Sequence, residues 1–254
     1  MTFYRTTRLM LSSAAVLFFA NSAFALDGND LLKKINDAYA QQGGSIAAEG
    51  VDIDGTTVTL KGASFKAAGA AESVKIGDIE MSGVEEDDGG YTIDEVDFPD
   101  IATTQDGVTV SATDLTLSDV EVPADATKGD LSSMLLYKTA HAGAASVTKD
   151  GTEVFSISDA EATMNKRDDD SGLDFDLKVN GVKADLSKVD DPQAKEAIGA
   201  LNLQQVSGTI AMKGSWEVAP GKIDITEYSL DLKDVGKLNI ALSLSGYTPA
   251  FAKS

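Results

Sequence analysis

The sequence contains no cysteine. Disulfides, thiolate nucleophiles and cysteine–zinc sites are therefore excluded together. A chain of 254 residues can build a core without bridges, so this absence leaves the compartment open. There is one histidine, His141. A Ser-His-Asp triad would have to use it, yet no nucleophile-elbow pattern accompanies it, and a histidine metal cluster is impossible. It sits in "TAHAGAA", which reads as a helix-to-strand connection. Aromatics are sparse at 6%, with a single Trp, which is poor material for the platforms of a sugar cleft. No phosphate-cradling glycine loop is present, and no cofactor is implied. Basic residues are outnumbered, 21 against 41 acidic, for a net charge of −20. That balance repels phosphate backbones and anionic headgroups, so nucleic acid is not an expected partner.

The first 25 residues form the one strongly apolar stretch. Arg5 and Arg8 precede "LMLSSAAVLFFA", and Ala23-Phe24-Ala25 supplies the small-x-small pattern read by a signal peptidase. A cleaved leader over 1–25, cut after Ala25, predicts export to the periplasm. The next residue is Leu26, not Cys, so no lipoprotein anchor is expected, and the arginines are not adjacent as a twin-arginine signal requires. The leader removes two arginines and no acids, leaving 19 basic and 41 acidic residues, a charge of −22. No later apolar run could span a bilayer, so no stable membrane span is expected in the mature chain. Residues 26–254 read as a single β-rich domain, with a sub-division near 124–141 as the alternative.

The mature chain opens with helical spacing in "DGNDLLKKINDAYAQQGG". Leu31, Leu32, Ile35, Ala38 and Tyr39 share a side, Asn29 or Asp30 can cap, and Gly43-Gly44 stops the helix. From Ile46 the period becomes two, with charged residues between the apolar ones, as in antiparallel sheets with one wet face. "VTVSATDLTLSDVEVP" shows a complication: Val108 and Val110 are even, Leu115 and Leu117 odd, Val120 and Val122 even again. Such flips predict hairpins or β-bulges. Asn180-Gly181 suits a type I′ hairpin, and Gly77-Asp78 could form a type II′ turn. Ser118-Asp119 and Asp94-Glu95 suit bulges at a corner, where a strand leaves one layer for another. "DGTTV", "DGVTV" and "DGTEV" at Asp54, Asp106 and Asp150 each launch a strand, either as a generic turn signal or as an echo of a repeated unit.

Two short helical inserts are expected, in "GDLSSMLLYKTA" and in "DDPQAKEAIGAL", the latter with Asp191 as N-cap and Pro192 at the first position. The last stretch reads as a three-stranded meander from Val206 to Leu244, with a turn at Pro220-Gly221 and a parity flip at Thr226-Glu227. "TPAFAKS" follows without a closing element, which points either to a natural chain that continues past Ser254 or to one that stops there. The fold class is thus mainly β: a twisted, bulged antiparallel sheet, elongated or two-layered, with an N-terminal amphipathic helix and two short helical inserts.

Acid clusters at "EEDDGG" and "RDDDSG" lack the alternating carboxylates of a calcium loop and read as solvated turns. Trp216, ending a strand, reads as rim or core packing. With the catalytic and metal possibilities thinned, the apolar face itself is the candidate site: Val108, Val110, Leu115, Leu117, Val120, Val122, Ile240 and Leu242 are the residues expected to face an apolar ligand, or else to fill a dry core.

"TDLTLSDVEVP", "GSWEVAPGKIDITEYSLDLKDVGKLNIALSLSGYTP" and "VDIDGTTVTLKG" resemble uncharacterised secreted proteins of α-proteobacteria and, more distantly, the β-rich repeats of AsmA-like periplasmic proteins. The resemblance spans about 46–249 and is one of texture. It implies an elongated antiparallel sheet with an apolar inner surface, in a group linked to lipid movement between envelope membranes. AsmA-like proteins are longer and keep a membrane anchor, so a bridging role does not carry over, and no catalytic residues come with the likeness. The expected function is non-enzymatic binding of an apolar ligand such as a lipid, or of an envelope partner. The alternatives are a structural or interaction module at the cell surface, a carboxylate hydrolase, and an outer-membrane barrel, for which the strands are too short.

Overall fold

The computed structural model describes residues 26–40, 43–189 and 191–248. The expected leader and the tail beyond Thr248 lie outside the described residues. Helix α1 (Gly28–Ala40) opens the described chain. Its cap is Asp27, two or three residues earlier than expected: the Asp27 carboxylate accepts from the N–H groups of Asn29 and Asp30, both at 3.0 Å. Leu31, Ile35 and Ala38 form the buried stripe that the spacing predicted.

Seventeen strands follow in one antiparallel sheet. They are β1 (Gly44–Ala47), β2 (Gly50–Asp54), β3 (Thr57–Ala67), β4 (Val74–Ser82), β5 (Glu85–Asp87), β6 (Gly90–Phe98), β7 (Ile101–Gln105), β8 (Val108–Ala112), β9 (Leu115–Val122), β10 (Leu136–Ala142), β11 (Ala145–Lys149), β12 (Thr152–Ile157), β13 (Asp159–Lys166), β14 (Gly172–Asp185), β15 (Gln205–Glu217), β16 (Lys222–Leu232) and β17 (Gly236–Leu244). A second helix, α2 (Pro192–Ala200), lies between β14 and β15.

The topology is simpler than the strand count. β1 runs into β2, β4 into β5, β6 into β7, β8 into β9, β10 into β11 and β12 into β13, each pair forming one long interrupted path. Every path then pairs with the one before and the one after it, so the chain is an up-and-down meander from β1/β2 to β17. The sheet is not closed. Three reversals use Asp-Gly with both residues at positive φ: Asp88-Gly89, Asp106-Gly107 and Asp150-Gly151. That is the backbone a type I′ hairpin requires, and Asp followed by Gly tolerates it best.

The interruptions lie beside one another. The Glu49 N–H donates to Lys61 O at 2.8 Å, and the Gly62 N–H donates to the Asp78 carboxylate at 2.8 Å. Gly143 N–H donates to Thr113 O at 2.9 Å, and Ser158 N–H to Asn180 O at 3.0 Å. Together they draw a seam across the strands at which the ladder pattern shifts and the local twist sharpens. Two expectations are corrected here. Asn180-Gly181 is not a hairpin; β14 passes straight through it, with a register shift between Val179 and Val182. Gly181 takes φ +62, and a Cβ there would meet Ser158 Oγ at 2.3 Å, so the glycine serves a bulge beside a neighbouring strand. Likewise Gly77-Asp78 is a kink within β4, with φ +111 at Gly77, not a turn.

The parity flips within β6 and β9 do fall at Asp94-Glu95 and Ser118-Asp119, with Asp119 at φ +51. The strands, however, do not change layers there. Register on either side is continuous, because β6 and β9 are irregular opposite one another. Tyr91, Ile93 and Val96 on one strand and Val120 and Val122 on the other all enter the same core. The flip thus keeps the apolar side chains on one face.

The inserts differ in the same local way. "GDLSSMLLYKTA" forms only a three-residue 3-10 turn at Leu131–Ser133 before β10 begins. His141 is consequently a strand residue, not part of a connection. α2 forms as expected, with the Asp191 carboxylate accepting from Ala194 N–H at 2.8 Å, yet none of its residues is buried. The main core lies between α1 and β3, β4, β6 and β9; a smaller one gathers Leu131, Leu136, Leu173 and Trp216. Trp216 packs there and donates its indole N–H to Tyr247 O at 2.9 Å.

Candidate ligand-binding face

Residues directly opposite across paired strands share a face. The registers therefore assemble an apolar row that crosses the sheet. It starts with Ile53, Val58, Met81 and Val96. It continues through Leu117, Ala140, Ala162 and Leu177. It ends with Met212, Tyr228 and Ile240. The opposite face carries Glu80, Asp97, Thr116, His141, Glu161 and Lys178 in a parallel polar row. One side of the sheet is thus apolar and the other charged, with the lone histidine on the charged side.

Helix α1 covers only the first part of the apolar side. Three polar contacts hold it there, and none was foreseen from the sequence. Asn36 donates to Ile46 O at 2.8 Å and accepts from Ile46 N–H at 2.7 Å, binding the helix to β1. The buried Tyr91 hydroxyl donates to the Asp30 carboxylate at 2.9 Å. Lys34 pairs with the same carboxylate and lies 5.6 Å from the centre of the Tyr91 ring. The Lys34 contact and then the Tyr91 hydroxyl hold Asp30 below the usual carboxylate range. Burial first, and the Asp30 hydrogen bond second, push the Tyr91 phenol above its usual range.

Beyond α1 the face opens. Between Leu115 and Leu117 on one side and Leu177 on the other, the strands carry Ala140, Ala142, Ala160 and Ala162. These small side chains leave a trough of about 410 Å³, floored by alanine and walled by Ile76, Phe98, Ile101 and the leucines. Phe98 and Leu117 also border the residual space under α1, so the trough continues the same core surface. Further on, the face is bare: Leu238 is 51% exposed and Ile240 41%.

The expected ligand-facing residues fall into four groups. Leu115 and Leu117 line the trough. Val120 and Val122 are each 3% exposed in the core beneath α1, so they are closed to any ligand while the helix is docked. Ile240 and Leu242 lie exposed on β17, well away from the trough. Val108 and Val110 lie on β8, past the seam, where Ala112 pairs with the trough residue Ile101; Val110 is exposed. The alanines of the trough were visible in the sequence, as "TAHAGAA" and "SDAEA", but alanine gives too weak a signal to mark a floor.

The carboxyls with displaced titration, Asp30, Asp78, Asp169, Asp185 and Asp224, are all held below the usual carboxylate range. Among the described residues no three His, Asp or Glu side chains are placed to share a metal ion, and no helix is long and apolar enough to cross a membrane. No protein-family model, curated protein or solved structure matches this chain.

Proposed function

We propose that this is a non-enzymatic, exported protein of the periplasm that holds the acyl chain of a lipid along the uncovered part of its apolar sheet face. The observation that carries this reading is the alanine-floored trough. It is apolar, elongated across several strands, and continuous with the core surface that α1 covers elsewhere. Exposed apolar surface of this kind on an acidic chain has a use when something apolar lies on it. The charge of the mature chain argues for recognition through the hydrocarbon and against an anionic headgroup. The likeness to AsmA-like repeats points the same way.

Each methylene fully buried contributes about 0.8 kcal/mol, so two extra carbons strengthen binding by at most about 15-fold. An open trough covers one side of the chain, so a smaller, few-fold gain per two carbons is expected. The test is a titration of the mature protein with saturated fatty acids of increasing length, read by displacement of a fluorescent fatty acid, together with mass spectrometry of lipid extracted from the purified protein. Ala162→Phe, which fills the floor, is expected to weaken binding about 10-fold or more without unfolding the sheet. No extractable lipid, no dependence on chain length and no effect of the Phe variant would defeat the reading.

A further inference from the structure

The two edges of the sheet are protected differently. At one edge the path is broken at Ala48-Glu49, carries Asp52 and Asp54, and lies next to α1. Breaks, inward or edge charges and covering helices are the devices by which edge strands avoid pairing with other chains. At the other edge β17 has a single charge, Lys237 near its start, and among the described residues neither a break nor a covering helix. It runs for nine residues, "GKLNIALSL", without acid, proline or internal break, and every one of those residues is exposed. Among the described residues it pairs only with β16. In a chain with 41 acidic residues, a nine-residue edge without one stands out.

We propose that β17 pairs antiparallel with β17 of a second copy, about a two-fold axis at Ile240 perpendicular to the sheet. The strand is self-complementary in that register. Leu238 stands opposite Leu242, Asn239 opposite Ala241 and Lys237 opposite Ser243, so no like charges meet. Shifting by one residue would set Lys237 against Leu242 and turn one apolar face over. With the axis at Ile240 the row that ends in Tyr228 and Ile240 continues into the partner's Ile240, and both apolar faces lie on the same side. This proposal is independent of what the trough holds.

Two nine-residue strands meeting edge to edge bury less than the roughly 1,200–2,000 Å² of a standard stable interface, so a weak, concentration-dependent dimer is expected. Both copies carry the same large negative charge while the strands themselves carry none, so salt strengthens the dimer by screening the repulsion.

The experiment is sedimentation of the mature chain over a range of concentrations, from about 0.05 M to about 0.5 M salt, with hydrogen exchange on the same samples. The expected result is a reversible dimer, favoured by salt, with protection of the β17 amides rising with protein concentration. N239D/A241D, which in this register sets two pairs of carboxylates opposite each other, is expected to abolish it. N239K/A241D, which sets Lys opposite Asp twice, is expected to tighten it several-fold. Circular dichroism checks that both variants fold. A monomer under all conditions overturns the proposal, as does a monomer whose β17 amides are fully protected, or a dimer indifferent to both variants.

Discussion

Under α1, the inner face of the sheet leaves only about 40 Å³ unfilled among Ile35, Leu60, Ile93 and their neighbours. A few strands further on, the same face opens into a trough of about 410 Å³, and at β17 it is bare. The strands account for part of this contrast, because the row that runs from Val58 to Ile240 narrows to Ala140 and Ala162 at the trough. The covering elements account for the rest. α1 presents Leu31 and Ile35 and is held by Asn36 and Asp30, whereas α2 is well capped but buries nothing, and Leu201 at its end is 66% exposed. An amphipathic strand states only that one side avoids water; a helix with its own apolar stripe decides where that demand is met within the chain.

The sharpest way to test the contrast is to truncate equivalent side chains in the two halves. Leu60→Ala removes a side chain that is 1% exposed in the filled core and is expected to cost about 2–5 kcal/mol of stability in denaturant unfolding. Leu242→Ala, on the bare face, is expected to fall within about 0.5 kcal/mol. A large loss at Leu242 would mean that the open half is covered in solution.

A smaller effect probes the attachment of α1. Tyr91→Phe keeps the ring in the core and deletes the hydrogen bond to Asp30. A loss of about 1 kcal/mol is expected, concentrated in faster hydrogen exchange of the α1 amides, with the β9 and β10 amides little changed. Uniform loosening of the sheet would show instead that α1 and the strands unfold as one unit.

The same contrast explains what was legible in the sequence. The sheet, the antiparallel order, the first helix and the C-terminal meander follow from periods of two and 3.6, which record burial directly. The flips at Asp94-Glu95 and Ser118-Asp119 were visible too, but a parity change reports an extra residue and not which way the chain turns. At Asn180-Gly181 the dipeptide permits either a hairpin or a bulge. What decided it was the presence of partners on both sides of β14, a long-range fact that no local window contains. The candidate site was half legible for the same reason. Leu117 and Val120 carry the same apolar signature three residues apart, yet one borders the trough and the other is roofed by α1. Only the placement of the helix separates them.

The smallest effect, and the most specific to the covered half, is the pH dependence of the α1 attachment. Asp30 titrates below the ordinary carboxylate value of about 4 because its charged form is paired with Lys34 and accepts from Tyr91. The folded state therefore binds fewer protons than the unfolded one near that pH. The stabilisation is complete above pH ~4 and is lost as pH falls through the depressed value. Tyr91 is displaced in the opposite direction, so its contribution is complete below the ordinary phenol value of about 10 and is lost as pH rises beyond it. Protection of the α1 amides, taken relative to the intrinsic exchange rate at each pH, is expected to be greatest between these limits and to fall at both ends. Asp30 is partly exposed, so its limb is shallow. Asp30→Asn is expected to remove the acid limb that distinguishes it from the parent chain while keeping the alkaline one, since burial rather than the carboxylate is the first cause of the Tyr91 displacement. If the variant lost both limbs, the carboxylate and not the core would be what holds the phenol protonated.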